Sequence, residues 1–209
     1  MVKTSGKQGN PISKDYGGIV IILPIHGYND GSSGANNIDQ LDLGDIDVRR
    51  NYADYGWVGL LATRFGGIKR IGQDLAHKIN RDFPSDARIC LLCHSNGFAV
   101  AHECIKHTSR VKVIISFNGA LNVDANFSHT VDKIINFYAK KDMVLKWGAW
   151  LRPFHVWGRA GQSGLTTKDQ RIENIEMPDV RGHSKVFQIK ALRDKYSARV
   201  RNIVNAYLS

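Results

Sequence analysis

Leu91-Leu92-Cys93-His94-Ser95-Asn96-Gly97 is the stretch that decides the fold, because an apolar strand passes into a helix there within two residues. The apolar run 87–93 predicts a strand buried on both faces, and a helical stripe follows from residue 98 to about 108. A serine at so sharp a turn occupies a strained backbone position and needs small residues on either side at a distance of two. Cys93 replaces the commoner glycine and is still small. The pattern predicts a reactive Ser95, and a serine that caps the helix is the alternative.

Apolar strands and amphipathic helices alternate on both sides of this stretch. Further strands are predicted at residues 18–24, 46–50, 111–117, 131–138 and 172–177. Apolar residues at helical spacing predict a helix over 68–79, and residues 184–208 form one or two helices, whereas the connection 140–169 has no clear period. This order predicts an α/β fold, a mainly parallel sheet with helices on both faces. We expect a flexible N-terminal segment, 1–17, and one domain, 18–209.

The composition is that of a soluble globular protein. The chain has 209 residues, of which 43% are hydrophobic and 23% charged, and its longest apolar run is far shorter than the ~20 residues of a membrane span. The N-terminal segment lacks the apolar core of an export signal. Three cysteines in apolar surroundings favour reduced thiols over a disulfide framework. The sequence therefore predicts a cytoplasmic protein without a membrane span.

The charge is strongly positive and unevenly distributed. The net charge is +10, and residues 181–209 contain seven basic side chains and one acidic side chain. Such a basic face attracts negatively charged partners. No helix-turn-helix, zinc-finger or RNA-binding signature accompanies it, so we expect no specific nucleic-acid partner.

Two patterns that suggest a metal fail on geometry. His102 and His107 are five residues apart, which places them roughly 140° apart around a helix. Cys90 and Cys93 point to opposite faces of an extended strand. The glycines at 158, 161 and 164 follow no strand and do not form a dinucleotide-binding motif. We expect neither a metal nor a cofactor.

Three residues occur in the order serine, aspartate, histidine, each after a predicted strand. Ser95 is followed by Asp142, just past the strand 131–138, and by His183 in the segment Arg181-Gly182-His183-Ser184. A His-Gly pair also follows the first strand. In this order and these motifs, residues 18–209 resemble the α/β-hydrolase superfamily. The resemblance implies a minimal hydrolase fold without a large cap, because only thirteen residues, 118–130, separate two strands where caps are commonly inserted.

The resemblance also implies roles for these residues. Ser95 would be the nucleophile, His183 the general base and Asp142 the carboxylate that orients the imidazole. Asp124, after the preceding strand, competes with Asp142 because some members take the acid from that position. The backbone N–H groups of Asn96 and Tyr28 would form the oxyanion hole.

The implied activity is hydrolysis of a small-molecule carboxylic ester through an acyl-enzyme. A thioesterase or amidase with the same triad is an alternative, and so is a noncatalytic hydrolase-fold protein that binds partners through its basic face. His26, Trp147, Trp150 and Trp157 are candidate substrate-binding residues. The segment 143–164, which holds the tryptophans, would line a pocket, cover the site or pack on the core. The oligomeric state is left open.

Overall fold

In the part of the chain that the structure describes, six parallel strands form one sheet in the order β2-β1-β3-β4-β5-β6. The computed structural model describes residues 19–27, 38–50, 52, 66–150 and 158–208, with side chains up to residue 146 in the fourth range. The strands are β1 (Val20–Ile25), β2 (Asp47–Val48), β3 (Arg88–His94), β4 (Val111–Phe117), β5 (Lys133–Tyr138) and β6 (Ile172–Glu176). All five pairings between neighbouring strands are parallel. The predicted α/β sheet is confirmed, and the predicted segment 1–17 lies outside the described residues.

The central strands are apolar along their whole length because both faces of the sheet are covered. In β3, Leu91 and Cys93 belong to the core on one face, whereas Cys90 and Leu92 belong to the core on the other. All four side chains are 0% exposed. The expectation that Cys90 and Cys93 point to opposite faces is therefore confirmed.

Helices pack against both faces. α1 (Gly67–Asp82) and α2 (Gly97–Cys104) cover one face, where Leu75, Ala76 and Ile79 of α1 are buried. The C-terminal helices α5 (Lys185–Gln188) and α6 (Lys190–Leu208) cover the other face through residues that include Phe187 and Tyr196. A short 3-10 helix, Ile38–Gln40, also contributes to this second core. Among the described helices, none is both long and apolar enough to cross a membrane.

The connection between β5 and β6 differs from the sequence expectation. Instead of lacking regular structure, it contains α3 (Met143–Trp150) and α4 (Ala160–Ser163). Asp142 directly precedes α3 and caps its N-terminus. Its Oδ1 accepts hydrogen bonds from the backbone N–H groups of Val144 at 3.1 Å and Leu145 at 3.2 Å. Aspartate is a preferred residue at this N-cap position. The prediction missed the helix because its mixed apolar and glycine sequence has no clear 3.6-residue period.

Candidate active site

Ser95 lies at the carboxyl end of β3 in a left-handed backbone conformation, with φ of +53°. This conformation costs a residue with a Cβ about 1–2 kcal/mol, so the surrounding structure must hold it. The Ser95 N–H donates to the carbonyl oxygen of Phe117 at 3.1 Å, and the Ser95 carbonyl accepts from the N–H groups of Ala120 at 2.8 Å and Phe98 at 3.2 Å. The predicted sharp turn is present, and hydrogen bonds to the end of β4 and the start of α2 fix it.

Two glycines allow the backbone to approach Ser95 closely. A Cβ on Gly97 would lie 2.4 Å from the carbonyl oxygen of Ile25, so only glycine lets α2 begin this close to β1. A Cβ on Gly27 would lie 2.8 Å from the Ser95 Cβ and 3.4 Å from its Oγ. The backbone at the end of β1 therefore passes directly beside the hydroxyl of Ser95.

Asp142 and His183 are in direct contact. His183 Nδ1 lies 2.7 Å from Asp142 Oδ2, and the Asp142 side chain is 0% exposed while that of His183 is 14% exposed. When Nδ1 carries the proton and donates it to this carboxylate, the lone pair of the neutral imidazole is on Nε2. Asp124, the competing acid, is an exposed residue of the loop after β4. The structure thus places Asp142 against the histidine that the sequence singled out.

Two residues that the sequence analysis did not single out hold the backbone of His183. The Nδ2 of Asn118 donates to the carbonyl oxygen of His183 at 2.7 Å and to that of Gly182 at 3.3 Å. His94 Nε2 lies 3.2 Å from the same His183 oxygen, and the two imidazole rings are 4.8 Å apart. Asn118 and His94 are both buried and follow or end the strands β4 and β3. The sequence offers one signal for Asn118. It directly follows a predicted strand, and asparagine is a residue type that tolerates a positive φ, which is +48° here.

The remaining candidates divide into described and undescribed residues. Asn96 is 1% exposed and precedes α2, and no hydrogen bond between described residues uses its backbone N–H. His26 is buried at the end of β1, where its Nε2 lies 3.1 Å from Asp39 Oδ2. Tyr28 and Trp157 lie outside the described residues, as do the side chains of Trp147 and Trp150. Their predicted roles stay predictions.

The two histidines of the rejected zinc pattern have separate partners. His102 Nε2 lies 2.7 Å from the carbonyl oxygen of Asn126, whereas His107 Nε2 lies 3.3 Å from Glu103 Oε1. Burial lowers the pKa of His102 and so favours its neutral form. Within the described ranges, no cluster of three or more His, Cys, Asp or Glu side chains is arranged to hold a metal ion.

Comparison with known proteins identifies the fold. No protein-family model matches the chain, and no curated protein matches its sequence. Solved structures do match: an esterase of Pyrococcus furiosus has a TM-score of 0.56 at 10% identity, over 92% of this chain and 84% of the esterase. The esterase domain of a Rhodothermus marinus protein has a TM-score of 0.54 at 10% identity, over 94% and 90% of the two chains. A dienelactone hydrolase of Anabaena variabilis has a TM-score of 0.51 at 14% identity, over 94% and 89%. With its parallel sheet and these structural neighbours, the chain has the α/β-hydrolase fold.

Proposed function

We propose that this protein is a serine hydrolase that cleaves a small carboxylic ester with a Ser95, Asp142, His183 triad. The observation that carries the proposal is the 2.7 Å contact between His183 Nδ1 and the buried carboxylate of Asp142. This pair occurs at the same carboxyl edge of the sheet as Ser95, whose left-handed turn is typical of an activated nucleophile. The esterase and dienelactone hydrolase neighbours add support at the level of the fold.

In the proposed reaction, His183 Nε2 removes the proton of the Ser95 hydroxyl as Oγ attacks the carbonyl carbon of the ester. The carbonyl π electrons move onto oxygen, which becomes the oxyanion of a tetrahedral intermediate. Collapse of the intermediate breaks the bond to the alcohol, and the imidazolium returns its proton to the departing oxygen. His183 Nε2 then deprotonates a water molecule as its oxygen attacks the acyl carbon. The bond from that carbon to Ser95 Oγ breaks, Oγ takes the proton back from the imidazolium, and the acyl group leaves as a carboxylic acid. Asp142 stabilises the imidazolium and fixes its orientation.

The backbone N–H groups of Asn96 and Tyr28 are the proposed donors to the oxyanion. The first belongs to the residue after the nucleophile, and the second follows Gly27, whose backbone runs beside the Ser95 side chain. His26 and the tryptophans at 147, 150 and 157 are proposed to contact the substrate. Loss of one donor to the oxyanion reduces turnover by about 10²–10³ in enzymes of this mechanism.

We further propose a single catalytic domain, 18–209, that works in the cytoplasm on a small ester without a specific nucleic-acid partner. Cys90, Cys93 and Cys104 are free and buried. Burial raises the pKa of each thiol, that of Cys104 to about 12, so the thiols are unreactive structural side chains. Reduced cysteines of this kind fit a reducing compartment.

A fluorophosphonate probe tests the nucleophile directly. The probe should label Ser95 in the folded protein, and Ser95→Ala should abolish both labelling and hydrolysis of a chromogenic acetyl ester. Ser163→Ala is the matched control, because the hydroxyl of this exposed serine donates to the carbonyl oxygen of Arg159 and to no other residue that the structure describes. Labelling of another serine, or of none, contradicts the proposed function.

A further inference from the structure

We propose that the substrate of this site carries a negative charge, and that Lys141, Arg181 and Lys185 bind its anionic group. These three residues, called the cationic rim below, are all exposed. The inference rests on the proposed function, since it names the class of ester that the proposed triad hydrolyses.

The cationic rim flanks the proposed catalytic residues along the chain. Lys141 is the neighbour of Asp142, and Arg181 and Lys185 are each two residues from His183. Because consecutive Cα atoms are about 3.8 Å apart, the Arg181 and Lys185 Cα atoms lie within about 7.6 Å of the His183 Cα. Each rim residue is therefore held within one side-chain length of the site.

The topology places the cationic rim and Ser95 at one edge of the sheet. Lys141 follows β5, Arg181 and Lys185 follow β6, and Ser95 follows β3. In a parallel sheet, the carboxyl ends of all strands meet at one edge. Neighbouring strands are about 4.8 Å apart, so β5 lies about 10 Å from β3 across β4. The long, flexible side chain of Lys141 can span part of this distance. Its position suits a substrate whose negative charge lies a few bonds away from the ester group.

The acidic side chains closest to the cationic rim along the chain, Asp142, Glu176 and Asp179, each have another partner, which for Asp142 is His183. Glu176 pairs with Lys140 at 2.7 Å, and Asp179 pairs with Lys195 at 2.5 Å. These partners lower the pKa of both carboxyls, so both stay ionised at neutral pH. Each carboxylate is therefore already paired with a cation outside the rim.

Within the part of the chain that the structure describes, no acidic side chain forms an ion pair with the cations of the rim, Lys141, Arg181 and Lys185. An anionic substrate group supplies a counter-charge to these cations, and positive charge at the protein surface attracts such a substrate from solution.

Matched esters test the charge preference. We choose 4-acetoxybenzoate and 4-acetoxyphenyl phosphate as anionic substrates and 4-acetoxybenzamide as the neutral one, because all three transfer the same acetyl group. Between about 0.01 M and 1 M salt, the Debye length falls from about 30 Å to about 3 Å. Electrostatic attraction raises association by 10–10³-fold, so we expect kcat/KM for the preferred anionic ester to fall about tenfold over this range. The neutral ester should respond little, and the ratio of the two anionic esters distinguishes a carboxylate from a phosphate.

Single neutralising variants locate the effect. Lys141→Gln, Arg181→Gln and Lys185→Gln should each lower kcat/KM for the anionic esters. The kcat/KM for the neutral ester, 4-acetoxybenzamide, should not change. Lys168→Gln is the control, because this exposed lysine precedes β6 and so lies at the opposite edge of the sheet. Equal salt responses for charged and neutral esters, or equal effects of Lys168→Gln and the rim variants, overturn the proposal.

A binding measurement separates this proposal from the proposed function. Benzoate should shift the backbone NMR signals of residues 141 and 181–185 in the intact protein, whereas benzamide should not. Benzoate binding without ester hydrolysis refutes the proposed function and retains the anion site. Hydrolysis of all three esters without benzoate binding refutes the anion site alone. Displacement of benzoate by a short DNA strand at equal charge concentration would assign the rim to nucleic acid and also overturn the proposal.

Discussion

Asn118→Gly should slow the proposed chemistry more than it destabilises the fold. Glycine accepts the positive φ of +48° at this position but removes the donors to the carbonyl oxygens of His183 and Gly182, at 2.7 and 3.3 Å. Each buried hydrogen bond contributes about 0.5–1.5 kcal/mol, and the longer one contributes less, so the free energy of unfolding should fall by about 1–2 kcal/mol. His94 Nε2 still lies 3.2 Å from the His183 carbonyl oxygen, and in the tautomer that carries its proton on Nε2 it donates to that oxygen, which limits the loss. A shift of the imidazole by about 1 Å costs roughly 10²-fold in rate.

The assay is the rate at which a fluorophosphonate labels Ser95, with stability measured by urea denaturation of the same samples. Asn136→Ala is the matched control: this buried asparagine also loses two bonds, to the Ala160 carbonyl oxygen at 2.9 Å and to Asn174 Oδ1 at 3.0 Å, and none to His183. We expect similar losses of stability for the two variants and slow labelling only for Asn118→Gly. Equal labelling rates for both variants would refute the reasoning, because the bonds to His183 would then be purely structural.

Three further changes separate other parts of the site. Asp142→Asn should reduce turnover by about 10⁴ through the wrong imidazole tautomer, yet keep α3, because asparagine also caps helices; a mild effect here and a large one for Asp124→Asn would transfer the acid to the earlier loop. Gly97→Ala should lower the free energy of unfolding by about 3 kcal/mol or more, the upper part of the range for overpacked sites, because its Cβ would lie 2.4 Å from the Ile25 oxygen; near-native stability in urea would contradict that contact. Cys104, with its pKa raised to about 12 by burial, should resist alkylation at pH 8 and react only after unfolding, as mass spectrometry would detect; rapid alkylation of the native protein would show that the thiol is accessible.

The fold could be predicted because its decisive signals are local. The run at 111–117 is mostly apolar and β-branched, a signal contained within a few residues, and the structure has a strand at Val111–Phe117. The predicted strand 172–177 is present as Ile172–Glu176. The strand predicted at 46–50 is the two-residue strand Asp47–Val48 at the edge of the sheet, where it pairs with one neighbour only among the described strands.

The site was predictable only in part, because contacts between distant residues leave no local pattern. Asp142 and His183 stood out through their place after strands, and the structure brings them together over 41 residues of sequence. The bond from Asn118 to the His183 carbonyl joins residues 65 apart. Nothing in the sequence indicates which carbonyl an asparagine will meet, so this part of the site emerges only from the packed fold.

Ser95 and Asn118 occupy equivalent positions on neighbouring strands, and this repetition explains why both are strained. Each follows its strand with a positive φ, and the Asn118 N–H donates to the carbonyl oxygen of Phe137 at 3.0 Å, as the Ser95 N–H does to that of Phe117. The chain leaves the sheet by the same turn twice. At β3 the turn presents a hydroxyl, and at β4 it presents an amide that holds the backbone of His183. Because Ala120, two residues after Asn118, also donates to the Ser95 carbonyl, one short segment is bonded to the proposed nucleophile and to the proposed base. A shift of this segment therefore changes the distance between the two residues, which is the quantity on which proton transfer from Ser95 depends.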